Sequence, residues 1–205
     1  MPLRPKLLDF DVYGRLEAGV DEAGRGCLAG PVTAAAVIPS AATLDLALND
    51  SKKLSPSARK KLRMEIERTA VAWAVGWASS EEVDQINILN ATFLAMHRAI
   101  DGLRTSSGKP SPPAHLLIDG NRFAPHAIDH TCHVKGDGKF ASIAAASILA
   151  KTHRDAFMTE SAERFPHYGW ISNAGYPTIA HRKAIAAHGP TPLHRTTFRW
   201  QAKLI

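Results

Sequence analysis

Asp21-Glu22-Ala23-Gly24-Arg25-Gly26 follows directly on a short apolar run at residues 16–20. A run of that length, flanked by turn residues, predicts a strand that ends at Asp21. Neighbouring side chains of a regular strand point to opposite faces, so Asp21 and Glu22 share one metal site only if the backbone bends there. The glycines that follow supply the bend. Adjacent carboxylates with no base beside them repel, and hard divalent cations such as Mg2+ compensate them because they take oxygen ligands. The amides of Gly24 and Gly26 and the Arg25 guanidinium suit a phosphate or sugar edge. Alone, such a hexapeptide reads as an ordinary polar turn after a strand.

Company elsewhere in the chain changes that reading. Leu116-Leu117-Ile118-Asp119-Gly120-Asn121 again delivers one aspartate at the end of an apolar run. Val134-Lys135-Gly136-Asp137-Gly138-Lys139 sets another in a glycine turn before an alanine-rich stretch. In open α/β sheets, function concentrates at strand ends. The formal net charge of +6 and pI near 9.5 favour an anionic partner, of which nucleic acid is the commonest. Lys52 and Lys53 sharpen this, since they precede a helix that Ser55 caps and Pro56 opens. Along that helix, Arg59, Lys60 and Arg63 read as a solvated face.

The 205 residues suffice for one substantial core, so a single domain over 1–205 is expected. Residues 1–14 form a frayed lead-in. No run of about 18 apolar residues and no export-type leader is present, which points to a cytoplasmic protein without a membrane span. Cys27 and Cys132 form no Cys-x-x-Cys pair and read as ordinary thiols. Strands are expected near 16–21, 31–38, 71–78, 115–119 and 132–135, with helices near 55–70, 81–86, 88–102, 139–161 and 178–188. The first three strands suit an antiparallel meander, and helices interleave the later ones. The fold class is therefore α/β, a mixed sheet flanked by helices. Beyond residue 165 the Gly, Pro and His residues suggest a small C-terminal helical appendage, to 205, packed beside the active face. Ala144, Ala145, Ala146 and Ala150 let the 139–161 helix approach the sheet closely.

The chain resembles ribonuclease HII, the bacterial type 2 ribonuclease H. The resemblance runs from about residue 16 to 198 and rests on motifs in order: Gly19-Val20-Asp21-Glu22-Ala23-Gly24-Arg25-Gly26, Asn49-Asp50-Ser51-Lys52-Lys53-Leu54-Ser55, Asn87-Ile88-Leu89-Asn90-Ala91-Thr92 and Ile118-Asp119-Gly120-Asn121. Lys135-Gly136-Asp137, the stretch from Ser142 through Lys151 with Arg154-Asp155, Gly175-Tyr176-Pro177-Thr178, His194-Arg195 and Phe198 complete it. Two departures are small: Cys27 stands where proline is common and Val83 where isoleucine is common. No extra domain precedes the first strand, which speaks against the type 3 relative.

The resemblance implies the ribonuclease H-like fold and an endoribonuclease that acts on RNA–DNA hybrids and on ribonucleotides embedded in DNA. It implies Mg2+ or Mn2+ as cofactor and a monomer that binds nucleic acid and no membrane. Asp21, Glu22, Asp119 and Asp137 are the implied catalytic carboxylates, of which Asp21, Glu22 and Asp119 hold metal. Two ions about 4 Å apart activate water and stabilise the leaving oxygen of an in-line displacement, leaving 3′-hydroxyl and 5′-phosphate ends. Gly24, Arg25 and Gly26 are suited to reading the 2′-hydroxyl that separates RNA from DNA. Tyr176 stacks on the following deoxyribose, and Lys52 and Lys53 contact phosphate. Asp155, close to Lys151 and Arg154, reads as structural. His126, His130 and His133 lack the tight ligand pair of a zinc site and read as structural. His194 either approaches the nucleic acid or pins the appendage. Two other readings stand beside this one: a resolvase- or transposase-like nuclease that cuts all-DNA structures, and a nucleic-acid-binding module that leaves a hybrid uncut.

Overall fold

Strand β1, Glu17–Ala23, is buried over Glu17–Asp21 and lies at the centre of a five-stranded sheet. It pairs antiparallel with β2, Val32–Ile38, and β2 pairs antiparallel with β3, Ala72–Ala78. On its other side β1 runs parallel to β4, His115–Asp119, and β4 runs parallel to β5, His130–His133, so the order is β3-β2-β1-β4-β5. The expected meander and mixed sheet are therefore present. The computed structural model describes residues 7–49, 51 and 54–200.

Helices cover both faces, as alternation along the strands requires. Ala18 and Val20 of β1, Ala34 and Ala36 of β2, and Leu116 and Ile118 of β4 pack with Ala91, Ala95, Met96 and Ala99 of α3, Ser80–Asp101. On the opposite face Ala35 and Val37 pack with Ala145, Ala146, Ile148 and Leu149 of α4, Ala141–Arg164. A β-carbon on Gly19 would stand 2.2 Å from the Ser142 carbonyl carbon, so glycine is what lets α4 lie this close to β1. Burying a side chain such as Ile148 or Leu149 contributes roughly 1.5–3 kcal/mol.

Helix α3 contains the break expected at residue 87. Asn87 has φ 65 and ψ 166, and its Oδ1 accepts from the Leu89 and Asn90 amides at 3.0 and 3.2 Å, capping the second segment. Glu82 closes a capping box with Ser79 and also takes both Arg98 nitrogens, at 2.9 and 2.7 Å, which ties the two segments together. Helix α2, Pro56–Thr69, begins as its sequence indicates, with Ser55 Oγ accepting from Ala58 at 3.2 Å. A short helix α1, Ala41–Leu44, was not expected.

Three expectations are corrected. Strand β1 does not end at Asp21 but continues to Ala23, held by β2 opposite it. Strand β5 ends at His133, before Val134, because Lys135 adopts a left-handed conformation at φ 59 and ψ 41. The lead-in is not frayed where it is described. Leu8 donates to the Lys139 carbonyl at 2.7 Å and accepts from Ala141 at 2.9 Å, while the buried Glu17 carboxylate takes the Asp11 and Val12 amides and Arg15.

The C-terminal region is helical as expected, with α5, Trp170–Asn173, and α6, Ile179–His188. Tyr168, Trp170 and Ile185 pack with Leu28, Ala29 and Met158, which fixes the appendage beside the loop after β1. Among the described residues no helix is long and apolar enough to cross a membrane.

Candidate active site

The parallel pairing of β1 with β4 stops at Val20 and Ile118, so Asp21 and Asp119 emerge side by side where the chain direction of β1's two neighbours differs. Such a switch point opens a crevice at the strand ends. By alternation Asp21 shares the α4 face with Gly19, and Glu22 belongs to the α3 face with Val20. The bend expected from the following glycines comes at Gly24, whose φ is +91. Glu22 nevertheless joins Asp21 and Asp119 in lining one hollow, which continues along Gly24, Arg25, Gly26, Ser51, Ser147, Lys151 and Tyr176. A second hollow shares Glu22, Arg25 and Asp119 and extends over Thr92, Phe93, Met96, Asn121 and Arg122. The carboxylates thus stand where two depressions meet, one walled by α4 and the other by α3.

Each carboxylate is held. Asp21 is 5 % exposed, accepts from the Glu22 amide at 2.7 Å and is hydrogen-bonded by the Ser147 hydroxyl. Glu22 pairs with Arg25 at 3.1 Å, and Asp119 Oδ1 accepts from the Gly136 amide at 2.6 Å. Burial pushes the Asp21 carboxyl well above the usual range, and the charges of Glu22 and Asp119 push it the same way. Glu22 is raised by burial, against the opposing pull of Arg25. Among the described residues no three carboxylate, imidazole or thiol groups already form a metal centre. The donor set is nonetheless all oxygen, and its repulsion is of the kind a hard divalent cation relieves, so the residues fit such an ion.

Asp137 lies in the Gly136–Gly138 turn and is buried, but it is not among the residues lining these two hollows. The turn that carries it is tied to the site by the Gly136 amide, which donates to Asp119. Tyr176 is 40 % exposed on the rim, with Lys151 Nζ 5.3 Å from its ring centroid. Lys52 and Lys53 lie outside the described residues. Their neighbour Ser51 is buried, with Oγ 3.0 Å from Ser147 Oγ.

Several further residues shape this site through partners that the sequence does not indicate. Arg154, fully buried, donates to the carbonyls of Pro31, Ala174 and Ala29 at 2.9, 2.8 and 2.9 Å. Arg195, also fully buried, donates to Arg25 at 2.9 Å and twice to Gly30. Between them they fix the loop after β1. Arg59 is not simply part of a solvated face, because its Nη1 donates to the Ser51 and Leu54 carbonyls at 2.9 and 2.6 Å. Asp155 pairs with Lys151 at 2.8 Å, as its structural reading requires. His194 is buried and pins the appendage. His126 meets Asp101, His130 packs on Phe123 and His133 on Phe140. Cys27 and Cys132 are free thiols.

Comparison with known proteins places this geometry. The family model described as ribonuclease HII matches residues 18–201. A ribonuclease HII of Parabacteroides distasonis is 61 % identical over 193 residues, 94 % of each chain. The ribonuclease HII of Archaeoglobus fulgidus, solved in complex with PCNA, superposes with a TM-score of 0.75 at 26 % identity over 92 % of this chain and 97 % of that one. A Bst ribonuclease HIII solved with Mn2+ superposes with a TM-score of 0.67 at 20 % identity, over 90 % of this chain and 67 % of that one, a likeness of fold alone.

Proposed function

The chain belongs to the ribonuclease HII family of metal-dependent endoribonucleases acting on RNA–DNA hybrids, and from that premise we propose that it also cuts duplex DNA on the 5′ side of an embedded ribonucleotide. The observation that carries the proposal is the meeting of Asp21, Glu22 and Asp119 in one hollow whose rim is the Gly24-Arg25-Gly26 loop and Tyr176. A carboxylate cluster alone supports phosphodiester hydrolysis; the donors and the ring on its rim support selection of the sugar.

Two divalent ions, Mg2+ or Mn2+, would activate the attacking water and neutralise charge on the leaving oxygen when bound. Asp21, Glu22 and Asp119 would hold them, with Asp137 beside, carried by the turn that Asp119 anchors through Gly136. The water oxygen bonds to phosphorus as the bond from phosphorus to the 3′ oxygen breaks, leaving a 3′-hydroxyl and a 5′-phosphate. The Gly24 and Gly26 amides and the Arg25 guanidinium donate to the 2′-hydroxyl, the group deoxyribose lacks. Tyr176 offers its ring to the next, 2′-deoxy, sugar. Lys52 and Lys53 bind backbone phosphate, as does Lys151 from the wall of the hollow.

The test is cleavage of an end-labelled hybrid and of a DNA duplex with one ribonucleotide, with Mg2+ or Mn2+, by the wild type and Asp119→Asn. The wild type is expected to cut both and the variant neither, while the variant still binds the hybrid within a few-fold. Cutting of an all-DNA duplex would favour the resolvase-like reading. No cutting of any substrate by folded protein would favour a binding module.

A further inference from the structure

Behind Tyr176 lies a chain of hydrogen bonds that runs through two buried imidazoles. His181, buried at the start of α6, has Nδ1 2.9 Å from the Tyr176 carbonyl. A carbonyl only accepts, so Nδ1 carries the proton. At the other side of the ring, Trp170 Nε1 donates to His181 Nε2 at 3.0 Å, so Nε2 is the acceptor. His194 Nε2 stands 3.1 Å from that same atom, so it donates there and shares with Trp170 the one lone pair of His181 Nε2. His194 Nδ1 is then free to accept the Thr191 amide at 2.9 Å and to meet the Thr191 hydroxyl at 3.0 Å. Every position agrees with two neutral imidazoles of opposite tautomer. Burial favours that state, holding His181 below the ordinary histidine range and His194 at about 4.

The adjacent residue, Arg195, reaches the other half of the rim by donating to the Arg25 carbonyl. The backbone links the two halves as well, since the Leu28 amide donates to the Gly175 carbonyl at 2.8 Å.

We propose that His181 is a positioning residue for the reading of the deoxyribose step, its Nδ1–H fixing the carbonyl of Tyr176, with His194 and Trp170 fixing its tautomer. The proposal rests on the proposed role of Tyr176. A ring that stacks on a sugar works only at the right height and tilt, and the Tyr176 main chain has few other anchors. Its amide donates to Asn173 and its carbonyl accepts from Thr178, both at 2.8 Å. Losing the His181 donor leaves the Thr178 amide to hold the Tyr176 carbonyl.

The test measures kcat/KM on a single-ribonucleotide duplex and on an RNA–DNA hybrid, and takes their ratio. His181→Leu should lower the ratio about tenfold, and His181→Asn, whose side-chain amide can sit where Nδ1–H was, should restore most of it. In a Tyr176→Ala background the leucine variant should add no further loss of ratio, the signature of two residues acting as one. A purely structural histidine would lower both rates together and leave the ratio unchanged, which would overturn the proposal. If the leucine variant does not fold, 15N imidazole spectra of the wild type decide. An Nδ1–H His181 beside an Nε2–H His194 supports the proposal, and a protonated or Nε2–H His181 overturns it. If the wild type does not cut the single-ribonucleotide duplex, the reading of the substrate has failed, an outcome distinct from an unchanged ratio in a protein that does.

Discussion

Gly24→Ala and Gly26→Ala alter the same loop after β1 by one methyl group each, yet the structure assigns them different consequences. Gly24 has φ +91, and a β-carbon there would stand 2.0 Å from Arg154 Nε and 2.5 Å from its Cδ. A left-handed alanine costs roughly 1–2 kcal/mol. The clash is with a buried guanidinium whose three donors each hold a loop carbonyl, so it cannot swing aside without breaking at least one bond. A charge-assisted hydrogen bond of that kind contributes about 1.5–3 kcal/mol. The two effects add to roughly 2.5–5 kcal/mol, and at about 2–4 °C per kcal/mol for a chain of this size the melting temperature should fall by roughly 5–20 °C. Gly26 has no atom within 4 Å of its notional β-carbon and no positive φ, so its variant should melt within about 1–2 °C of the wild type. Thermal unfolding by circular dichroism, with both variants in the same buffer, measures the difference. Equal melting temperatures for the two variants would refute the claim that Arg154 is braced against Gly24.

Asp21, His194 and Asp84 carry three further outcomes. Asp21→Asn should abolish turnover yet raise the metal-free melting temperature. The folded carboxyl titrates above its unfolded value, so its favourable contribution is present at low pH and lost as pH rises, and at neutral pH the charge is a burden. The gap between variant and wild type in EDTA should close as pH falls towards 4. His194 has the opposite sign. Its folded value is lowered to about 4, so the neutral ring stabilises the fold above the unfolded value near 6.5, and that contribution is lost between these two pH values. The loss is worth roughly 3 kcal/mol at most and should be visible as acid lability reduced in His194→Gln. Finally, Asp84 accepts from the amide and hydroxyl of both Thr196 and Thr197 at 2.6–3.0 Å. Asp84→Ala should release the segment that carries Arg195, and faster proteolysis there than in the wild type checks it.

The architecture was legible in the sequence where the chain's own periodicity carries it. The apolar runs leading to Asp21 and Asp119 placed β1 and β4, and the break at Asn87 separated the two segments of α3. Ala144, Ala145, Ala146 and Ala150 announced close helix packing, and all four are fully buried. The errors are local. Val134 continues the apolar pattern of β5, but it is the left-handed Lys135, a backbone feature without a sequence signal, that ends pairing. By contrast, the bend that Asp21 and Glu22 needed lies among the glycines after them, at Gly24, and both carboxylates line one hollow. The braces were legible only as residues: Arg154 and Arg195 stand in the motifs that carry the resemblance, but what they hold did not show. Arg154, Arg195 and Arg59 act on carbonyls of loops distant in sequence or folded back by a turn, and a carbonyl leaves no mark on residue type. His181 likewise carries no signal until the fold brings its ring to that of His194.

The central claim is that this site hydrolyses a strand only where a 2′-hydroxyl is presented to the Gly24-Arg25-Gly26 loop. The most direct measurement uses two DNA duplexes identical except for one 2′-hydroxyl, incubated with the wild-type protein and Mg2+ or Mn2+, with product ends mapped at nucleotide resolution. A single cut immediately 5′ of the ribonucleotide, with no cut in its all-deoxy twin, is the predicted result. Cutting of both duplexes, or of neither by folded protein, would contradict it.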